Sequence, residues 1–276
     1  MPRKKVIINF RTFAAFLQRD ARQTLSYRFA FLLDLASVFF NAATFYFVSK
    51  LFDASSSGML ADYGGSYFPF VLIGIAFSTY QSIGLNSFSQ SLRQEQYLGT
   101  LESVLVAPIN ITTFLAGSAL WDFLYTTLEV ILYFLLGLFV FGLALPRANI
   151  APAVVALLLT ITSFMGLGIL AAAFILRFKR GNPVAWLIAT ASELLGGVYF
   201  PTQILPPWIK NISDWIPMTH ALSALRESLL LNAGFEQISF HLLYLAGFTI
   251  VIWPVGIFAF KIALQWSQRD GSLSHY

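Results

Sequence analysis

Six apolar runs, each near the length that crosses a bilayer, constrain this chain more than any other feature. They cover about Phe29–Phe52, Tyr67–Phe88, Thr112–Phe141, Ile150–Leu176, Pro183–Phe200 and Leu242–Phe260. A spanning helix needs roughly 20 apolar residues to cross a hydrocarbon core of about 30 Å. Backbone polar groups in lipid must be satisfied within the segment, so each run predicts a helix. A barrel would show short alternating segments instead, and none is present. The third run is too long for a straight crossing at about 45 Å, which puts its start and Trp121 at headgroup level. The fifth is short and Gly-rich at its end.

Composition closes the alternatives. The chain has 276 residues, of which 57% are hydrophobic and only 11% charged, with a mean hydropathy of +0.71. Soluble domains carry about 25% charged residues, so this surface cannot face water throughout. No polar stretch is long enough for a separate soluble catalytic domain. The absence of cysteine removes disulfides, thiolate metal sites and cysteine nucleophiles. His220, His241 and His275 are far apart in the chain, which leaves little for a zinc site; no metal or bound cofactor is expected. The class is an all-α integral membrane protein with six transmembrane helices.

Lys and Arg set the expected orientation. Arg3, Lys4, Lys5, Arg11, Arg19, Arg22 and Arg28 precede the first run, and Arg93, Arg177, Lys179, Arg180, Lys261 and Arg269 fall on the same side. The other side holds Lys50, Arg147, Lys210 and Arg226. Both termini are therefore expected in the cytoplasm, in a plasma membrane (a bacterial inner membrane). The net charge of +4 follows from this topology and gives no case for nucleic acid.

The start does not read as a signal peptide, because the apolar run is too long for an h-region. Val6–Tyr27 reads as an amphipathic helix with Phe10, Phe13, Leu17 and Ala21 on one face and Arg11, Gln18 and Arg22 on another. It is an interfacial anchor that sets topology, or one that also braces a cytoplasmic partner. The expected division is residues 1–28 as this helix, 29–266 as the six-span domain and 267–276 as a cytoplasmic tail.

Four acids interrupt the runs: Asp34, Asp122, Glu129 and Glu193. Each costs roughly 3 kcal/mol at the bilayer centre. Asp34, near the end of its run, reads as structural. Asp122 and Glu129 are seven apart and share a helix face with Tyr125, Thr126 and Tyr133 nearby. That stripe is either structural hydrogen bonding or part of a substrate path. Glu193, just before Gly196–Gly197, reads as structural at a helix break or as a gate.

Residues 201–231 carry Pro201, Pro206, Pro207 and Pro217, with Trp208 and Trp215 suited to an interface. Ala221–Leu231 reads as a short amphipathic helix. The segment fits a re-entrant or surface-lying outer hairpin between spans five and six. The loop 93–108 carries a turn at Gly99, a cap at Thr100 and a stop at Pro108. These predict a short helix near Thr100–Val106 with Leu101, Val104 and Leu105 on one face, docking on a partner or on lipid.

The stretch Glu95-Gln-Tyr97-Leu-Gly99-Thr100-Leu101-Glu102-Ser-Val-Leu105-Val-Ala-Pro108 resembles the E-x-x-x-G-T-L-E-x-L-L-x-x-P signature of the membrane subunits of ABC-2-type exporters. Val104 stands where leucine is usual. The outer segment resembles their second signature at Gly197, Phe200–Pro201, Leu205–Pro206, Trp208, Pro217, Thr219, Leu225 and Arg226. The match in order and layout extends over essentially the whole chain.

The resemblance implies a permease subunit that pairs with a second copy or a relative to form the path. Each subunit would bind a cytoplasmic ATPase, which would hold the ATP and Mg. Glu95, Tyr97, Gly99, Thr100, Leu101, Glu102 and Leu105 would couple to that ATPase. Phe200, Pro201, Trp208, Pro217 and Arg226 would belong to the exit cap, and Asp122, Tyr125, Glu129 and Glu193 to path or packing. Independently, no glycine is followed by lysine anywhere, so the chain has no P-loop.

Two rivals remain. A secondary transporter could use the intramembrane acids for protons, although no internal repeat is evident. A membrane enzyme would need carboxylates at working distance, and Asp122 and Glu129 lie about 10 Å apart along a helix. The expected cargo is amphipathic: a lipid, a glycolipid, a lipid-linked polysaccharide, or a hydrophobic natural product or drug.

Overall fold

The computed structural model describes residues 10–52, 60, 63, 65–97, 99, 111–143, 148–178 and 183–269. Every regular element among them is helical. In order these are α1 (Phe10–Ser26), α2 (Arg28–Phe52), α3 (Tyr67–Tyr97), α4 (Ile111–Phe139), α5 (Ile150–Phe178) and α6 (Pro183–Leu195). A 3₁₀ turn (Thr202–Ile204), α7 (Pro207–Ser213), α8 (Pro217–Leu230) and α9 (Ser239–Arg269) complete the set.

Among the described residues, five helices are long and apolar enough to cross a membrane: 28–51 in α2, 67–95 in α3, 119–139 in α4, 150–176 in α5 and 239–266 in α9. The expected fifth span is shorter than its apolar run. The α6 helix has 13 residues, which rise about 20 Å, and it gives way to turns at Gly196. The second run is longer than expected. It continues as helix to Tyr97, so Arg93, Glu95 and Tyr97 sit on the last turns of α3 rather than in a loop.

Helices α3 and α5 form the centre. Helix α4 packs on α3, and α9 lies along α5. Helix α2 touches α3 and α4, and α6 leans on α3. The α3–α5 crossing is close because Gly84 faces Gly168: a Cβ on Gly168 would strike the backbone oxygen of Gly84. Small residues at a crossing let backbones approach, which is how helices associate where lipid removes the hydrophobic drive. Phe70, Leu72, Ile73, Leu85, Phe164 and Leu222 are fully buried in the resulting core.

Chain direction alternates through the bundle. At one end the starts of α3, α5 and α9 meet the ends of α2 and α6. Arg226 reaches Phe70 and Val198, Asn149 N–H donates to the Ser228 carbonyl, and Phe45 stacks on Tyr199. This is the hairpin end. At the opposite end α1 lies beside the last turns of α3 and the start of α4, where Trp121 Nε1 donates to Thr24 Oγ1 at 2.9 Å. On α1, Leu17 and Ala21 are half-buried while Gln18 and Arg22 are exposed, the separation that its amphipathic pattern predicts.

Candidate functional site

The hairpin is asymmetric. Helix α7 is exposed, with Trp208 68% accessible, and so is Trp215 just after it, at 78%. Helix α8 does not lie on a surface, contrary to the expectation from Ala221–Leu231. It begins earlier, at Pro217, and buries ten of its fourteen residues. It packs against α3, α5, α6 and α9. The apolar stripe read as amphipathic is thus one side of a helix that is enclosed almost all round. Pro217 occupies the first turn, where its missing N–H costs nothing.

Arg226 ties the buried α8 to its neighbours. It is 3% exposed. Nε and Nη2 donate to Phe70 O at 3.1 and 3.0 Å, Nη1 to Gly197 O at 2.8 Å and Nη2 to Val198 O at 3.1 Å. The guanidinium centre is 3.4 Å from the Phe70 ring centroid. A buried cation is tolerated only when its donors are matched. Here the carbonyls of Phe70, in the first turn of α3, and of Gly197 and Val198, just past the end of α6, take the place of a carboxylate. Ser213 Oγ donates to Leu195 O at 2.6 Å, and Tyr67 Oη to Tyr199 O at 2.9 Å. Pro201 is buried and Phe200 half-buried in the same turn.

The acids in the apolar runs occupy distinct places. Asp122 faces α3, where Ser87 Oγ donates to its Oδ2 at 2.5 Å. Asp34 is exposed on α2 and accepts from Tyr125 Oη at 3.2 Å. Glu129 lies within electrostatic reach of Asp34 and Tyr133, and Tyr133 of Tyr199. Tyr199 Oη donates to Glu193 at 3.4 Å, a long bond. Asp34, Tyr125, Glu129, Tyr133, Tyr199 and Glu193 thus form a ribbon of carboxylates and phenols climbing α2 and α4 to the hairpin. On α2, Ser37, Asn41 and Thr44 continue the exposed side of Asp34 at spacings of three and four. This polar stripe was legible as a period and was missed, because Asp34 was read alone.

At the opposite end, Glu95 pairs with Arg19 at 3.8 Å, and Arg19 Nε donates to Asp20 at 2.7 Å. Tyr97, at the last position of α3, is 71% exposed. Gly99 turns the chain with φ of +66°, a left-handed conformation that glycine adopts freely. Thr100, Leu101, Glu102 and Leu105, and the rest of the expected docking helix, lie outside the described residues. Between α1, α3 and α4 is a cavity of about 290 Å3.

Sequence separation also concealed a pair of rings. His220 Nδ1 lies 2.9 Å from His241 Nδ1, and His220 Nε2 lies 2.9 Å from the Asp214 carbonyl. His241 Nε2 faces Glu227 at 3.5 Å, and Tyr244 stacks on His220 at 3.8 Å. Burial, with a smaller push from His241, lowers the His220 pKa, while the Asp214 carbonyl works the other way. Among the described residues no group of three or more His, Cys, Asp or Glu is placed to hold a metal.

A family model described as ABC-2 type transporter matches residues 11–230. No curated protein matches the chain.

Proposed function

Because the chain belongs to the ABC-2 type transporter family, a family of multi-pass membrane permeases that work with a separate ABC ATPase, we propose that it is the permease subunit of an ATP-driven exporter. Two copies enclose a path for an amphipathic cargo. Helices α2 to α6 and α9 make six crossings, with α6 completed by the turns after Leu195 and the α7–α8 hairpin dipping into the outer leaflet. The termini and the loop after Tyr97 are cytoplasmic, in a plasma membrane.

The observation that carries this reading is the exposed polar side of α2. Asp34, Ser37, Asn41 and Thr44 are all exposed on one subunit, in a helix apolar enough to cross a bilayer. Ser37 and Thr44 bond back to the Asp34 and Phe40 carbonyls and Asp34 accepts from Tyr125, but lipid cannot serve the remaining capacity of this stripe, and polar residues within a span face a protein neighbour or water. A second subunit across this face supplies both. The short hairpin-end connections leave no capture domain for inward delivery, which supports export.

Coupling follows from the opposite end. The segment after Gly99 docks on the ATPase, and the Arg19–Glu95 pair ties that segment's stem to α1. ATP binding draws two ATPases together and shifts the population between inward- and outward-open forms. The test is reconstitution with the partner ATPase and with an ATPase mutated in its hydrolytic glutamate. Cargo movement only with the competent ATPase supports the proposal. Movement driven by a proton gradient without the ATPase would establish the secondary transporter instead.

A further inference from the structure

The chain has three histidines, and two of them converge. His220 stands on α8 and His241 near the start of α9, with their Nδ1 atoms 2.9 Å apart. Each ring turns its far nitrogen to an acceptor. His220 Nε2 lies 2.9 Å from the Asp214 carbonyl, and His241 Nε2 lies 3.5 Å from Glu227 Oε1. A carbonyl only accepts, so a neutral His220 carries its proton on Nε2 and points the Nδ1 lone pair at His241. Glu227 can hold a proton on His241 Nε2 in the same way.

Histidines that bind a metal almost always donate their second ring N–H to a carboxylate or a backbone carbonyl, which fixes the tautomer and aims the lone pair. Here one acceptor of each kind stands behind one ring. The gap between the facing nitrogens is also close to what an ion needs. Two nitrogens at about 2.0–2.1 Å from a tetrahedral ion are about 3.3 Å apart, about 0.4 Å wider than the 2.9 Å found. His220 is held by its stacking on Tyr244 at 3.8 Å. His241, its side chain 21% accessible, is the ring with room to shift.

We propose that His220 and His241 bind a divalent transition-metal ion such as Zn2+ through their two Nδ1 atoms, and that the ion staples α8 to α9. Imidazole selects Zn2+, Cu2+ or Ni2+ over Mg2+ and Ca2+. No third side chain among the described residues completes the set, so water entering past the partly accessible His241 and Glu227 fills the remaining positions. The ion therefore binds reversibly, unlike a structural centre with four protein ligands. Its entry displaces the proton between the rings. A neutral His241 takes that proton up at Nε2, toward Glu227, and releases none to solvent. Asp214 lies within electrostatic reach of His220, and its carboxylate and that of Glu227 offset the charge of the ion. The turn after α7, the body of α8 and the start of α9 are then joined at one point. This binding chemistry does not depend on the exporter reading.

The test uses the full-length chain, purified through a tag without histidine and carrying His275→Gln, so that the proposed pair holds its only imidazoles. Titration with Zn2+ against a chromophoric indicator is expected to show one saturable ion per chain that excess Mg2+ does not displace. His220→Gln and His241→Gln each keep an N–H near the position of Nε2 and remove the Nδ1 ligand. Each is expected to weaken Zn2+ by more than the roughly tenfold that loss of an outer-shell partner costs.

Two measurements keep the pair intact, so a variant that fails to fold does not blunt them. X-ray absorption of the Zn2+-loaded protein is expected to show two imidazole nitrogens at about 2.0 Å. Amide protection in α8 is expected to rise on adding Zn2+ at constant pH. No saturable binding, binding that survives both substitutions, or a spectrum without imidazole nitrogens overturns the site. Saturable binding with α8 protection unchanged overturns the staple.

Discussion

His220 and His241 meet through their Nδ1 atoms at 2.9 Å, so one of the two must donate to the other. His220 Nε2 faces the Asp214 carbonyl, which only accepts, so that nitrogen carries a proton. A neutral His220 then accepts at Nδ1, and His241 is the donor. The pair therefore works as His241 Nδ1–H donating to a neutral His220, and a proton on His220 Nδ1 breaks the bond.

Acid is expected to loosen the hairpin for this reason. A histidine held below its ordinary value of 6.5 takes up its proton less readily folded than unfolded. Below 6.5 the unfolded state binds more protons, so stability falls as pH drops from there through the folded pKa and levels off beneath it. Amide protection factors in α8, each taken against the base-catalysed intrinsic rate at its own pH, should be lower at pH 5.5 than at pH 7.5, an interval around the reference of about 6.5. His220→Gln should lose most of that difference. Equal protection factors at both pH values would contradict the proton assignment.

Arg226→Ala leaves the carbonyls of Phe70, Gly197 and Val198 without their donor in a buried site. The expected cost is about 3–5 kcal/mol, seen as a clear fall in Tm of the purified protein. Arg226→Lys keeps the charge but cannot span three carbonyls with a planar fork, and should recover less than half of the loss. A Tm unchanged in the Ala variant would remove Arg226 from the hairpin's stability.

Replacing Ser37, Asn41 and Thr44 together by leucine separates two possible neighbours of α2. Against lipid the change is neutral or stabilising, since leucine suits hydrocarbon. Against a path or a second subunit it removes the polar lining, and we expect ATP-driven export to fall at least about tenfold while insertion and yield persist. Undiminished export would assign this face to lipid.

Gly99→Pro and Glu102→Lys should leave membrane insertion intact and abolish capture of the ATPase in co-purification. Proline cannot adopt the positive φ of residue 99. Normal transport by either variant would remove the segment after Tyr97 from the coupling role.

The helices were readable because lipid enforces long apolar runs, and Phe29–Phe52 and Ile150–Leu176 differ little from α2 and α5. The short α6 was harder to foresee, since apolar residues continue past Leu195 while the backbone does not stay helical. Helix α8 shows another limit. A residue pattern reports which side is apolar, yet the enclosure of α8 comes from partners remote in the chain, such as Phe70, 156 positions from Arg226. The His220–His241 contact was invisible for the same reason: 21 positions separate the two in sequence, and no local rule relates them. The stripe from Asp34 to Thr44 was a local signal and only needed to be read as a period of three and four.

One guanidinium clamps the first turn of α3, the exit of α6 and the body of α8 into a single block. None of these segments can swing aside alone without stranding a buried positive charge. In the proposed pair of subunits, an aperture wide enough for a departing molecule would then open along the seam between them, with each outer half travelling as one stiff door leaf.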